Sequence, residues 1–468
     1  MQQLQPVLNL IDGNFKHSCD TLFALMRFAS VGTDPAYHGE CRKAANWLVS
    51  YLQDWGLEAK THETTGQPVV IGKTKSAGPE HLPHILFYGH YDVQPAEPFD
   101  LWTSPPFEPR IGKGERGQEA IFGRGSADDK GQLLTFLEAS SAWIATHGEL
   151  PFRLTVLLEG DEEGDTSHLD RFLAKNPDLL KADIVFICDT DMWDEKTPAI
   201  TTSLRGCIAE EIVIQGPRID LHSGYYGGPT VNPIKVLASI LASLHDKNGR
   251  VKIPGFYDGV KAISAHQKKQ WQKLKLKTAE FLGDVGLKHL SGEKGFTLLE
   301  QLWARPTAEV NGIYGGYRGV GSKTVLPATA TAKLTFRLVE GQSPKKIHAA
   351  FRKFVRAQLP SNCKVTFVTQ GGDSTGIKVS ENSRWVKAAD AALKAEWGKP
   401  AALIGAGGSI PVVQGFKEHL GLDSLMIGFG RKDDRVHSPN EKYDVESYHK
   451  GIRSWARLIN EIANGESK

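Results

Sequence analysis

Four stretches of the chain, residues 85–88, 154–158, 184–188 and 425–429, are apolar almost throughout, Thr155 being the polar exception, rather than at every second position. Strands of that kind are buried on both faces. With helices between them they predict a mostly parallel sheet covered on both sides. Helix is expected over 15–57, where Leu22, Leu25, Met26 and Phe28 begin one apolar stripe and Ala45, Leu48, Tyr51 and Leu52 form another. Gly56 is the expected stop of the second helix. Residues 72–80, rich in glycine and charge, read as a surface turn. A helix is expected from Leu133 through Ala139.

Between about 206 and 372 the pattern changes. Ala330, Ala332, Leu334, Phe336 and Leu338 alternate with Thr331, Lys333, Thr335 and Arg337, the period of a half-buried strand. Further strands are expected at 208–214, 309–313 and 365–368. Helices are expected over 231–244 and after Ser343-Pro344, where Ile347, Phe351, Phe354 and Val355 share a face. The order β-α-β-β-α-β is that of a ferredoxin-like unit, interrupted by a helical, lysine-rich insertion at 260–303. A helix over 385–396 returns the chain to the first domain. The expected organisation is an α/β domain (1–205 and 379–468) carrying an inserted α+β domain (206–378). A cleft between the two is the expected site.

Each apolar run leads into imidazole or carboxylate at its carboxyl end, the edge where open α/β sheets bind ligands. The first reaches His90 and Asp92, which are two apart and so placed for the carboxylate to hold the ring. The second reaches Glu159-Gly-Asp-Glu-Glu-Gly164, a run that repels itself unless something positive sits among it. The third reaches Asp189-Thr-Asp191, and the fourth, after a turn, His437. Asp128-Asp129 precedes a helix, where N-capping would also explain it. His90, Asp128, Glu162, Glu163, Asp191 and His437 form an oxygen and nitrogen donor set that suits zinc, with manganese or cobalt as alternatives. It suffices for two divalent ions if one carboxylate bridges. In the Glu162-Glu163 pair one member can bind metal and the other take a proton.

Composition narrows the partners. Hydrophobic residues make up 40% and charged residues 24%, with a net charge of +2. That is ordinary for a soluble protein and gives no reason to expect nucleic acid or an anionic membrane. No apolar run approaches the ~20 residues of a membrane span, and the first residues lack a signal-peptide pattern. Five scattered cysteines without a Cys-x-x-Cys pair fit reduced thiols in a cytoplasm. Gly316-Tyr-Arg-Gly-Val-Gly-Ser-Lys-Thr324 is not a phosphate loop, because a serine intervenes before the lysine. Residues 189–194 lack the glycine and terminal glutamate of a calcium loop.

Gly89-His-Tyr-Asp-Val-Gln-Pro95, Gly123-Arg-Gly-Ser-Ala-Asp-Asp-Lys-Gly131 and Glu159-Gly-Asp-Glu-Glu163 resemble the motifs of metallopeptidase family M-twenty. That family includes carnosinases and other dipeptidases, aminoacylases, acetylornithine deacetylase and succinyl-diaminopimelate desuccinylase. The resemblance runs from about residue 15 to the end and favours the dipeptidase branch. It implies a zinc-exopeptidase-like catalytic domain and a lid or dimerisation domain that makes a homodimer. It implies that His90, Asp128 and Asp191 hold one metal and that Glu163, Asp128 and His437 hold the other. Glu162 matches the base that activates the bridging water, and Asp92 the residue that orients His90. His222 matches a lid histidine that serves the partner subunit's oxyanion. Arg337, Thr324, Gly408 and Ser409 match substrate contacts, the arginine gripping a carboxylate. Where many relatives carry a glutamate before Gly407, this chain has Ala406, which weakens the case for recognising a free amine. The expected activity is hydrolysis of dipeptides or similar small substrates with a free C-terminal carboxylate. An N-acyl amino acid deacylase is the alternative, and a catalytically silent binding protein a distant third.

Overall fold

The computed structural model describes residues 3–75, 82–369, 371–408 and 410–465. The chain divides into two compact units. The first comprises Met1–Thr202, Val379–Ile404 and Val412–Lys468; the second comprises Ser203–Lys378 and Gly405–Pro411. The boundaries expected at 206 and 378 compare with 203 and 378 here. The Gly405–Pro411 segment, expected in the first unit, groups with the second.

In the first unit the four apolar runs become strands Arg153–Glu159, His84–His90, Ile184–Ile187 and Ser424–Gly428, adjacent in that order. All three pairings among them are parallel. Antiparallel strands flank them, Leu57–His62 and Val69–Thr74 on one side and Ala199–Leu204 on the other. The central strands are buried on both faces, which is why they show no alternation. Phe87 stacks on Phe136 at 4.1 Å, and the indole of Trp455 meets Phe136 at 5.2 Å and Phe186 at 5.8 Å. These rings come from the sheet and from helices Lys130–His147 and Val445–Gly465. Rigid packing therefore sits directly behind the polar rim.

The helical region expected over 15–57, with its two apolar stripes, is formed by helices Leu4–Met26 and His38–Asp54. Between them Val31 bridges to Val93, and a Cβ on Gly32 would lie 2.8 Å from the Gly160 carbonyl and 3.1 Å from Asp92 Oδ2. The chain leaves the helix in order to pass against the site loops. Gly72, expected in a turn, lies in strand Val69–Thr74. A Cβ there would approach Leu52 at 2.9 Å, so the glycine permits the strand to pack under its helix. Lys73 and Thr74 belong to the same strand, and residues 76–80 of the expected turn lie outside the described residues.

The second unit has a four-stranded antiparallel sheet in the order Thr307–Gly315, Thr329–Leu338, Gly206–Gln215, Lys364–Thr369. Its apolar face, with Ile208, Ile212, Leu334 and Phe336, is covered by helices Pro233–Ala242 and Pro344–Arg356. Sequence order and sheet order together make it ferredoxin-like. The insertion forms three short helices, Ala265–Lys273, Thr278–Gly283 and Leu298–Trp303, the last opened by a Thr297-Glu300 capping box. A two-stranded ribbon pairs Leu221–His222 with Val325–Leu326.

Candidate metal centre

His90 is the last residue of its strand and is fully buried. Its Nδ1–H donates to the Asp92 carbonyl at 3.1 Å, with the Asp92 carboxylate 3.4 Å away. That fixes the proton on Nδ1 and leaves Nε2 as a ligand atom. Nε2 lies 3.1 Å from Asp128 Oδ1 and 3.9 Å from Asp189 Oδ2. The Asp92 carboxylate does a second job. It accepts the backbone N–H groups of Glu162 at 3.2 Å and Glu163 at 3.0 Å, so one buried anion positions both the imidazole and the glutamate pair.

The acidic run sorts itself by partner. Glu159 accepts the Tyr88 hydroxyl at 2.6 Å, and Asp161 accepts the Gln67 N–H at 2.6 Å and faces His168 Nδ1 at 3.0 Å. These two are structural. Glu163 Oε2 accepts from the Gln94 amide at 2.8 Å. Its Oε1 lies 3.2 Å from His437 Nε2, yet is buried without an aligned hydrogen bond. No hydrogen bond or ion pair engages the Glu162 carboxyl among the described residues. Burial, followed by the charges of Asp189, Asp92 and Glu163 against that of His90, pushes it up to about 8.

Asp128 lies between strand Glu119–Phe122 and helix Lys130–His147, and its peptide bond to Asp129 is cis. The loop is held by Glu441, a fully buried carboxylate absent from the sequence-based site. It accepts the N–H groups of Gly125 (2.9 Å), Ala127 (2.9 Å) and Asp128 (3.1 Å) and pairs with buried Arg124 at 2.9 Å. His437 reaches Asp128 Oδ2 at 2.9 Å from a backbone with φ 62°, left-handed for a non-glycine residue. Such a conformation costs about 1–3 kcal/mol and persists at sites that need it.

Two groups of donors result, each with ligand atoms within 4.8 Å of one another. One is His90, Asp128 and Asp189; the other is Asp128, Glu163 and His437. Asp128 belongs to both, the position of a bridge. Asp189 stands where Asp191 was expected, and this is a correction. The strand ends at Ile187, and Asp189 carries on to the rim. Asp191 is exposed and bridges to Gly430 instead. Gln94, Asp189 and Glu441 are thus the residues missed. The first two lay inside stretches already singled out, and Glu441 four residues after His437.

The electrostatics fit a cation. The hydrogen bond to Asp128 and the Glu163 carboxylate 3.2 Å away push His437 up to about 10. Burial opposes protonation of His90, but its bonds to Asp128 and Asp92 hold it well above the usual imidazole range. Burial likewise opposes ionisation of Asp128, which the two imidazoles nevertheless hold far below the usual carboxylate range. Burial, then the charge of Asp128, pushes Asp189 up to about 7. Asp128, Asp189 and the two imidazoles, crowded into one partly buried patch, thus resolve their conflict with protons. Divalent ions can replace those protons.

The remaining expected residues lie in the second unit. His222 is exposed beside Tyr225, and its Nδ1 accepts the Gly224 N–H at 3.0 Å. In the neutral ring the proton is then on Nε2. The Thr324 carbonyl accepts the N–H of Ser223 at 2.9 Å, placing Thr324 on the same ribbon as His222. Arg337 is half-buried on the polar face of its strand, and Gly408 is exposed. Ser409 lies outside the described residues.

A family model described as Peptidase family M20/M25/M40 matches residues 86–461. The Cys-Gly metallodipeptidase DUG1 of Candida albicans is 31% identical over 471 residues, covering 96% of each chain. The Beta-Ala-His dipeptidase of Rattus norvegicus is 28% identical over 387 residues, 81% of this chain and 77% of its own. Among solved structures, a metallo-carboxypeptidase from Sulfolobus solfataricus is 29% identical. It matches with a TM-score of 0.80 over 96% of this chain and 99% of its own.

Proposed function

Because this chain belongs to peptidase family M20/M25/M40 and is a metallo-dipeptidase, we propose that it uses two divalent ions, zinc first, to hydrolyse dipeptides and similar small substrates with a free C-terminal carboxylate. The observation that carries this reading is the division of labour at the glutamate pair. Glu163 faces His437 at 3.2 Å, while the half-buried Glu162 carboxyl has no hydrogen bond or ion pair among the described residues. His90, Asp128 and Asp189 would hold one ion, and Asp128, Glu163 and His437 the other. Bound there, the ions would polarise the scissile carbonyl and acidify the attacking water.

The chain's own residues supply the rest. Glu162 takes the proton of the attacking water and passes it to the leaving amine. Asp92 keeps the His90 tautomer and fixes where Glu162 sits, through its bond to the Glu162 N–H. His222, with its proton on Nε2, donates to the developing oxyanion, in this reading across a homodimer formed by the second unit. Arg337 offers a planar fork to the substrate carboxylate, with Thr324, Gly408 and Ser409 as further substrate contacts in this reading. No described helix is long and apolar enough to cross a membrane, and a cytoplasmic location is part of the proposal.

The rival reading is deacylation of N-acyl amino acids, and Ala406 is the residue that favours it. An alanine neither accepts a hydrogen bond nor balances an ammonium. Comparing kcat/KM for one dipeptide, its C-terminal amide and its N-acetyl form separates the readings. Amidation is expected to cost about 2–5 kcal/mol of transition-state binding, and acetylation much less. An amide cleaved as fast as the acid would remove Arg337 as the carboxylate anchor. A marked preference for the acetylated form would make the protein a deacylase.

A further inference from the structure

Two guanidinium groups of the second unit lie at the same end of one sheet, near enough for their charges to act on each other, and have no carboxylate partner among the described residues. Arg337 projects from the polar face of strand Thr329–Leu338, the face opposite the covering helices, and its register partner is Cys207. Arg205 lies two residues before Cys207. Its backbone N–H donates to the Ala406 carbonyl at 3.3 Å and its Nε–H to the Gly407 carbonyl at 2.9 Å. A Cβ on Gly407 would lie 3.2 Å from Arg205 Nη2, so the glycine keeps the outer edge of that fork uncrowded. Among the described residues, neither guanidinium has a carboxylate within 4.0 Å. Burial takes Arg205 down to about 10, and the charge of Arg337 adds to the effect, against weaker relief from Glu309 and Cys207.

A loop tie explains only one of the five donors of Arg205. If holding Gly407 were its whole purpose, the charge would be a burden. Two partly buried like charges repel, and a buried charge without a partner is costly. The arrangement becomes favourable once an anion with two acceptor oxygens sits between the forks.

We propose that Arg205 is a second specificity residue, forming with Arg337 a two-guanidinium clamp that grips the C-terminal carboxylate of the substrate over the Gly407 turn. This rests on the carboxylate reading of Arg337 given above and adds a residue to it. The clamp acts on binding, so its loss should raise KM more than it lowers kcat.

The test measures kcat and KM for a dipeptide and for its C-terminal amide, in the parent, Arg205→Met and Arg205→Lys proteins, each checked for metal content and Tm. Removing charge-assisted bonds to an ion should lower kcat/KM on the free acid roughly 10–100-fold in Arg205→Met, mostly through KM. The amide should change less than about threefold. Arg205→Lys keeps a charge but loses the fork, and should fall between parent and Arg205→Met on the acid alone. If Arg205→Met does not fold, the lysine variant carries the same comparison. A parent that prefers the acid while both variants keep that preference overturns this inference alone. Equal losses on both substrates overturn it too, because they mark a loop-positioning residue. A parent that cleaves the amide as fast as the acid overturns the carboxylate reading, and the clamp with it.

Discussion

Asp189 and Asp191 show how two residues of one chemical type, two positions apart, acquire different roles. Asp189 continues from its strand into the donor cluster, while Asp191 turns to Gly430 and faces solvent. Asp189→Asn should therefore lower the metal content of purified protein, and Asp191→Asn should leave it near that of the parent. Metal analysis of the two variants decides between them, and the reverse pattern would restore Asp191 as ligand. At Glu162 the argument concerns protons. Glu162→Gln keeps the shape and removes proton acceptance, so turnover should fall by roughly two or more orders of magnitude. Full activity in a metal-loaded variant would take Glu162 out of the reaction. His437 gives a pH prediction. Its imidazole, held up to about 10 by Asp128 and Glu163, is protonated at pH 7 in the metal-free protein, and only the neutral ring binds metal. Metal uptake at pH 7 should then release at least one proton per chain, and apparent affinity should rise with pH toward 10. Zinc titration in weak buffer with a pH indicator measures the release. Uptake without any release would contradict the place of His437 as ligand.

At the scale of elements, the parallel centre of the sheet was legible because fully buried strands carry a signal no surface segment imitates. Residues 85–88, 154–158 and 184–188 fall within or overlap strands His84–His90, Arg153–Glu159 and Ile184–Ile187. The flanking strand Val69–Thr74 was not legible, since Gly72 and the charges after it look like a turn. Only the packing of Leu52 against that glycine explains it. Glu441 was hidden for a different reason. Its partners Arg124, Gly125, Ala127 and Asp128 lie more than 300 positions away, and no local pattern reports a bond across that distance. Glu441→Gln leaves Arg124 buried without its counter-charge. Unpairing of that kind costs about 3–5 kcal/mol, so denaturant unfolding should show a loss of this size together with weaker metal retention. A change below about 1 kcal/mol would mean that the loop is held by other contacts.

For the whole molecule, the ferredoxin-like unit was legible from its period-two strand and element order, whereas the grouping of Gly405–Pro411 with it was not. That segment begins in the last two residues of the Ala402–Ala406 strand and owes its place to contacts such as Arg205 with Gly407. If His222 serves a partner subunit, mixing inactive His222→Ala and Glu162→Gln proteins should restore measurable activity through one intact composite site. No recovery in verified heterodimers would confine the histidine to its own subunit. The central claim is that one donor constellation, bridged by Asp128, holds two ions whose joint presence is required for peptide hydrolysis. Titrating chelator-treated protein with zinc while following kcat/KM on an unblocked dipeptide tests it most directly. The account predicts no turnover without metal, full recovery at two ions per chain, and neither ion retained by Asp128→Ala. Turnover by the metal-free protein, or full recovery in the Asp128→Ala variant, would contradict it.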